Sequence, residues 1–228
     1  MYSVVSLFAG IGGICLGFKQ AGFKIIWANE KDHSACLTYR HNFGNDYLIE
    51  GDIRNISEAH IPHADILAAG FPCQSFSAAG AGRGFSDPRG TLFFEVIRVA
   101  KAIQPRIVFL ENVENLMEHD NGRTFQTIYS SLVELGYIIR YQAMATHEYA
   151  NIPQTRRRIY IVAFADLELS DRFRFPEPIP LTSGAMECLK LDERKPDIYY
   201  YSEDTPFDRY IRDSVKDRRY IYRIFNGS

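Results

Sequence analysis

The sequence predicts an α/β protein with a doubly wound, mostly parallel sheet that carries helices on both faces. Short β-branched runs alternate with helical stripes of apolar residues along the first 165 residues, the order expected of such a sheet. The runs at 64–69 and 107–110 are apolar throughout, which is typical of central strands covered on both faces. The 228 residues, 46% of them hydrophobic, are sufficient for a buried core.

The first part of the pattern predicts strand, helix, strand, helix and strand. Residues 4–8 form a β-branched run, and after a glycine turn an apolar stripe over 11–18 has the spacing of one helix face. The run at 24–28 predicts the second strand. A helix over 32–42 and a short strand at 47–49 follow.

The alternation continues to about residue 165. Apolar residues at helical spacing predict helices over 93–100 and 125–135. The runs at 137–144 and 159–164 predict the last two strands. Because the pattern weakens after 164, we expect a core formed by residues 1–165 and an extension formed by residues 166–228.

Composition and charge exclude several classes of protein. The net charge is −2, so bulk charge does not indicate a polyanion partner, although a local basic patch can still bind one. The cysteines stand at positions 15, 36, 73 and 188 without metal-finger spacing, so we expect neither a metal site nor a disulfide framework. We find no signal-peptide pattern and no membrane-spanning apolar run, and we expect a cytoplasmic protein, or a nuclear one in a eukaryote.

The turn after the first strand has the composition of a nucleotide-type cofactor loop. It consists of Phe8, Ala9, Gly10, Ile11, Gly12 and Gly13. Glycines at a strand-to-helix turn let the backbone approach a ligand, and a later carboxylate, here Glu30, can accept from ribose hydroxyls. The turn is short and an aromatic residue precedes it, which favours S-adenosylmethionine over a dinucleotide. A structural turn that merely needs glycine is the alternative.

A cysteine follows directly after the predicted strand 64–69, in the segment GFPCQS over 70–75. Ligands of doubly wound sheets bind at the carboxyl ends of the strands, and Pro72 restricts the backbone so that Cys73 is held in one pose. The small residues over 77–84 cannot pack a core and suggest a lid over the cysteine. A buried structural cysteine beside a plain surface loop is the alternative.

Polar residues also lie at the ends of two later strands. Glu111 follows strand 107–110, where a carboxylate is either a satisfied polar residue or a catalytic acid. Arg156 and Arg158 enter the last predicted strand, where alternation puts them on one face; a solvated basic edge is the alternative. Because these groups, the glycine turn and Cys73 all lie at ends of neighbouring strands, we expect them to face one cleft.

The motif set resembles the 5-methylcytosine DNA methyltransferases. In order from Leu7 through Phe164, the motifs are FAGIGG, NE, GDI, GFPCQ, RGTLFFE, ENV and QTRRR. The resemblance implies a Rossmann-like methyltransferase fold, S-adenosyl-L-methionine as cofactor and double-stranded DNA as partner. It also implies methyl transfer to C5 of a flipped cytosine through a covalent cysteine adduct, with no metal and no membrane involved.

The resemblance implies a role for each matching residue. The nucleophile is Cys73, the carboxylate is Glu111, and the base-contacting arginines are Arg156 and Arg158. Cofactor contacts are implied for Phe8, Ala9, Gly10, Ile11, Gly12, Gly13, Glu30, Lys31, Asp52, Ile53, Gly70, Pro72 and Leu92. Among these, Glu30 takes the ribose hydroxyls, and Asp52 and Ile53 meet the adenine edge. Substrate contacts are implied for Phe71, Gln74, Ser75, Asn112 and Gln154.

The resemblance ends at Phe164. Family members normally continue into a target-recognition segment and two closing motifs, and residues 166–228 resemble only the stretch that leads toward that region. We therefore expect either one subunit of a split enzyme, with a complementary chain that carries the remaining motifs, or a truncated form that is inactive alone. A non-catalytic or regulatory cofactor-binding subunit is the main alternative function. RNA cytosine methylation and a dinucleotide oxidoreductase are less favoured.

Overall fold

The computed structural model describes residues 1–72 and 92–184, together with the single positions 206, 209 and 213. Its strands are β1 Ser3–Leu7, β2 Lys24–Glu30, β3 Leu48–Glu50, β4 Ile66–Ala69, β5 Ile107–Val113, β6 Ile138–Ala145 and β7 Arg157–Phe164. Its α-helices are α1 Gly13–Gln20, α2 His33–Phe43, α3 Leu92–Ile103, α4 Arg123–Glu134, α5 Thr146–Tyr149 and α6 Leu167–Arg172. Short 3-10 turns occupy Ile53–Asn55, Glu58–His60 and Glu114–Met117.

The strands form one sheet in the order β3-β2-β1-β4-β5-β7-β6. Pairing is parallel from β3 through β5, whereas β7 runs antiparallel to β5. The predicted doubly wound, mostly parallel sheet is therefore confirmed. Because β7 runs opposite to β5, the beginning of β7 lies at the edge of the sheet where the parallel strands have their carboxyl ends.

Apolar side chains cover the sheet on both faces. One core cluster joins β-strand residues such as Val4 and Ala28 to Cys15 of α1 and Tyr39 of α2. The other joins alternate strand residues to α3 and α4, with Phe93 fully buried. This alternation puts successive side chains of one strand on opposite faces, and it explains why a central strand is apolar along its whole length.

Several element boundaries differ from the sequence predictions, and two of these differences concern candidate site residues. Helix α1 begins at Gly13, so Ile11 lies in the preceding turn and is 60% exposed. Strand β5 continues three residues beyond the predicted end at Leu110, because Glu111, Asn112 and Val113 pair with residues of β7. The two polar residues that were expected after the strand therefore project from it, on opposite faces.

The chain divides into two compact units. The first comprises residues 1–143 and 158–175, and the second comprises 144–157 and 176–228. Over the described ranges, no helix has the length and apolar content that crossing a membrane requires. The same residues contain no group of three or more His, Cys, Asp or Glu side chains able to hold a metal ion.

Candidate functional site

The candidate site of the first unit lies at the carboxyl edge of the parallel strands. Register pairs Leu7 with Ala69, and Ala69 with Leu110, so β1 and β4 end side by side and β5 continues three residues beyond them. Glu30 pairs with Glu50 at the ends of β2 and β3. Parallel strands bring the segments that follow them to one edge, which is where doubly wound sheets bind ligands.

The turn between β1 and α1 has an unusual backbone. Phe8, Gly10 and Gly12 have φ angles of 53°, 55° and 97°, in the left-handed region that L side chains rarely adopt. The Ala9 N–H donates to the Asn29 carbonyl at 2.9 Å, which ties the turn to β2. A non-glycine residue held in this region, as Phe8 is, stores strain of a kind that clusters at ligand sites.

Glu30 holds the same turn through its side chain. Its Oε2 accepts the Gly10 N–H at 2.9 Å, and its Oε1 accepts the N–H groups of Lys31 and Asp32 at 2.8 Å each. A carboxylate has about four acceptor positions, so one remains for a ligand hydroxyl after these three bonds. The geometry makes Glu30 a fixed acceptor beside the glycine turn.

Replacing Gly12 with alanine is expected to destabilise the protein more than replacing Gly10. A Cβ on Gly12 would overlap Cε2 of the Phe43 ring, whereas a Cβ on Gly10 would meet nothing within 4 Å. Left-handed backbone alone costs about 1–2 kcal/mol for a residue with a Cβ, and crowding adds about 1–3 kcal/mol at Gly12. Urea unfolding of the two variants without ligand measures the difference. Equal losses would mean that the Phe43 ring moves aside without cost.

A second carboxylate, Asp52, follows β3. Arg54 binds it through two donors, with Nε 2.9 Å from Oδ1 and Nη2 2.5 Å from Oδ2. The Arg54 guanidinium lowers the pKa of Asp52 to about 2, so this group is anionic at neutral pH. The buried Asn29 amide donates to the carbonyls of Ile49 and Gly51 at 3.1 and 2.9 Å and positions the chain before Asp52.

Next to the glycine turn lies an open groove of about 610 Å³. Its lining includes Phe8, Ile14, Gly70, Phe109, Glu111 and Tyr160. A Cβ on Gly70 would lie 3.2 Å from Ile14 Cδ1 and 3.4 Å from Glu111 Oε2. A side chain at position 70 would therefore crowd both residues, and glycine lets the backbone pass close to the carboxylate. The volume is within the range of small-molecule sites, which is about 300–1,000 Å³.

Glu111 and Arg158 form an ion pair at this edge. Arg158 Nε lies 3.1 Å from Glu111 Oε1. The side chain of Glu111 is 23% exposed and that of Arg158 is 19% exposed. The antiparallel pairing of β5 and β7 produces this contact, because Val113 is opposite Arg158 and Glu111 is opposite Tyr160. A half-buried carboxylate beside a guanidinium is suited to bind and orient a polar heterocycle.

Asn112 projects from the other face of β5 and is 2% exposed. Its Nδ2 donates to the Phe71 carbonyl at 3.2 Å, and its Oδ1 accepts the Val113 N–H at 2.9 Å. Both polar atoms of the amide are thus engaged with backbone. The contact holds the segment between Gly70 and Pro72, which leads directly to Cys73.

Changing Asn112 to aspartate is expected to lower stability and displace the segment before Cys73. The substitution keeps the shape but replaces the donor that faces the Phe71 carbonyl with an acceptor, and an unsatisfied buried group costs about 1–3 kcal/mol. Urea unfolding measures the loss. Asn121→Asp, at an exposed left-handed position, is the matched control, and an equal change in the two variants would contradict this role.

The described cysteines are not nucleophiles of this site. Cys15 and Cys36 are both buried, and burial raises the pKa of each thiol, which disfavours the thiolate. The predicted nucleophile Cys73, with Gln74, Ser75 and the predicted lid over 77–84, lies outside the described residues.

Other predicted residues are placed as follows. Ile53 and Leu92 are nearly fully buried, at 2% and 3% exposure, where their segments join the core. Gln154 and Arg156 belong to the second unit and have exposed side chains. There the Arg156 carbonyl accepts from Thr146 N and Oγ1 at 2.9 and 3.1 Å, so the loop before β7 is closed by its own hydrogen bonds.

Sequence reasoning missed three polar residues of the site. Asn29, Arg54 and Arg98 each hold backbone or a carboxylate near the strand ends. Asn29 stood in a recognised motif, but no role was assigned to it. Arg54 is two residues from Asp52, a spacing that could have indicated the pair. Nothing local in the sequence distinguishes Arg98 from other helix-surface arginines.

Several solved structures have a similar fold. The described chain superposes on Dnmt2 methyltransferase of S. pombe with a TM-score of 0.59 and 22% identity, over 77% of this chain and 53% of that one. The methyltransferase EhMeth of Entamoeba histolytica matches with a TM-score of 0.60 and 22% identity, over 73% and 53%. At this level of identity the similarity shows the fold alone.

Sequence comparison identifies the family. Residues 2–222 match the profile of the C-5 cytosine-specific DNA methylases. The Type II methyltransferase M.Bsp6I of Bacillus sp. (strain RFL6) is 49% identical over 206 residues, which are 90% of this chain and 65% of that protein. M.HaeII of Haemophilus aegyptius is 45% identical over 203 residues, or 89% and 62%. The chain therefore belongs to the C-5 cytosine-specific DNA methylase family, and it spans somewhat less than two thirds of the length of these relatives.

Proposed function

We propose that this chain carries the cofactor-binding and catalytic core of an enzyme that transfers a methyl group from S-adenosyl-L-methionine to C5 of cytosine in double-stranded DNA. The observation that carries the proposal is the Glu111–Arg158 pair, which lies at the same strand-end edge as the glycine turn held by Glu30. Residues 166–228 are proposed to lead toward the target-recognition region.

The residues of the strand-end edge fit S-adenosyl-L-methionine. Gly10 and Gly13 have open space where a Cβ would stand, so a ligand can approach the backbone of the turn. Glu30 and Asp52 supply carboxyl oxygens, which match the hydroxyl and amine donors of an adenosine. We propose that Glu30 binds the ribose hydroxyls, that Asp52 and Ile53 bind the adenine edge, and that Phe8 and Leu92 line the same pocket.

The remaining cofactor contacts follow from the position of each residue in the turns. Backbone groups of the β1–α1 turn and of the segment after β4 border the site. We assign them, with the neighbouring Lys31, to the methionine and ribose parts of the cofactor. They are Ala9, Gly10, Ile11, Gly12, Gly13, Lys31, Gly70 and Pro72.

Cytosine needs activation before C5 can accept a methyl group, because C5 is a poor nucleophile. The Cys73 thiolate adds to C6, forming a carbon–sulfur bond and moving an electron pair toward C5. Glu111 shares a proton with N3 as this charge develops. Arg158 holds the O2 oxygen, and its positive charge favours the thiolate, while Arg156 supports the base.

When bound, S-adenosyl-L-methionine supplies an electrophilic methyl group on a sulfonium sulfur. After C5 is methylated, a base removes the C5 proton, the ring regains its double bond and the C6–S bond breaks, which frees Cys73. None of these atoms is reachable in a stacked duplex, so the cytosine is flipped into the site. Gln74, Ser75 and Gln154 are proposed to border the flipped base, whereas Phe71 and Asn112, both 2% exposed, are proposed to support the segment before Cys73 from the core and not to contact the base.

Labelled-methyl transfer from S-adenosyl-L-methionine to mixed-sequence DNA tests the proposal. Digestion of the product to nucleosides must show the label as 5-methylcytosine. A parallel assay with RNA shows whether the chain methylates DNA or RNA. Binding of the cofactor is measured separately by calorimetry. Transfer by this chain alone would establish a self-sufficient core. Cofactor binding without transfer would mean that further sequence is required, in a longer chain or in a complementary one, and absence of both would refute the proposal.

A further inference from the structure

Arg98 has four hydrogen-bond partners near the proposed cofactor pocket, and neither the sequence motifs nor the mechanism uses it. It lies on α3, the helix that begins at Leu92. Its side chain is 28% exposed, so most of its length is covered. A guanidinium that is largely removed from water requires several partners, and the structure provides four.

The four partners lie on three separate segments. Within α3, Arg98 Nε donates to Glu95 Oε2 at 2.9 Å. Arg98 Nη1 donates to Glu58 Oε2 at 2.6 Å, which reaches the 3-10 turn Glu58–His60. Arg98 Nη2 donates to the carbonyls of Ile53 and Ile56 at 3.0 and 3.1 Å, which belong to the 3-10 turn Ile53–Asn55 and the residue that ends it.

The two carbonyl bonds are the informative ones. The Ile53 carbonyl already accepts the Ile56 N–H at 3.1 Å within the turn, and Arg98 adds a charged donor to this carbonyl and to that of Ile56. Asp52, the N-cap of this turn, has its carboxylate held by Arg54, and Ile53 is 2% exposed. Arg54 therefore fixes the orientation of the Asp52 carboxylate. Arg98 fixes the position of the backbone that carries Asp52 and Ile53.

We propose that Arg98 is a positioning residue for the cofactor, because it holds the backbone of the Asp52–Ile53 turn against α3. The inference rests on the proposed binding of S-adenosyl-L-methionine. Arg98 contacts the cofactor only through the turn, so its loss weakens adenosine binding while leaving Cys73, Glu111 and Arg158 in place. Because Arg98 affects cofactor binding and not the catalytic groups, its loss is expected to raise Kd and KM for the cofactor and to change kcat at saturating cofactor little.

Arg98→Met tests this role by keeping the apolar stem and removing every donor. The turn that carries Asp52 and Ile53 then loses its charged donors, so the calorimetric Kd for S-adenosyl-L-methionine is expected to rise by about tenfold or more. Arg98→Lys keeps the charge but not the planar fork, and we expect an intermediate Kd. If the methionine variant does not fold, the lysine variant provides the same comparison.

Arg123→Met is the matched control, because Arg123 is also a helix arginine paired with an acidic residue three positions earlier, at 2.5 Å from Asp120, and is 73% exposed. Its Kd should equal that of the unaltered chain. Folded Arg98 variants with an unchanged Kd would overturn the inference. A fall in kcat at saturating cofactor without a rise in Kd would overturn it as well. Failure of the unaltered chain to bind the cofactor would instead count against the proposed function.

Discussion

Replacing Cys73 with alanine is expected to abolish methyl transfer to cytosine while cofactor binding persists. Without a thiolate that adds to C6, no electron density reaches C5, and removal of a covalent nucleophile lowers kcat by about 10⁴-fold or more. The glycine turn and Glu30, which are proposed to hold the cofactor, are unchanged. The measurement combines labelled-methyl transfer with calorimetric binding, in the preparation in which the unaltered chain is active.

Cys15→Ala is the control for Cys73→Ala, since it also removes a thiol but from a fully buried position in α1. It is expected to cost stability through a small cavity and to retain transfer. Methylation that survives in Cys73→Ala would show that another group is the nucleophile. Loss of cofactor binding in that variant would show that the segment after β4 contributes more to the cofactor pocket than the proposal assigns.

Glu111→Gln is expected to lower methyl transfer by about 10²- to 10⁴-fold, the usual contribution of a positioned acid or base. Glutamine keeps the length and the acceptor oxygen but cannot hold the proton that N3 needs as Cys73 adds. The change also removes the negative charge that pairs with Arg158 at 3.1 Å, so the guanidinium loses an orienting partner. Rates at saturating cofactor and DNA measure the effect on kcat.

A pH profile separates the two roles of Glu111. If the carboxyl group transfers a proton, the variant loses one limb of the profile as well as rate. If Glu111 only orients Arg158, the profile keeps its shape, and the acid assignment is wrong. Glu134→Gln, an exposed carboxylate at the end of α4, should leave both rate and profile unchanged.

Local patterns were sufficient to predict the order of the seven strands and of helices α1 to α4, and the glycine turn after β1. The alternation of apolar runs and helical stripes depends only on neighbours along the chain, and the glycine turn depends on backbone freedom at single positions. The extent of β5 was not predictable in this way. Its last three residues become strand because β7 pairs with them, and polar residues such as Glu111 carry no local strand signal.

The sequence by itself determined the family, the class of fold and which residue types carry the proposed chemistry, because motif order and spacing are preserved in the chain itself. Only the tertiary structure decided which groups meet. The Glu111–Arg158 pair depends on the antiparallel register of β5 and β7. The Asn112 amide donates to the backbone of Phe71, and Arg98 donates to a carbonyl 45 residues away. Contacts of this range arise from strand pairing and helix packing, which no local pattern encodes.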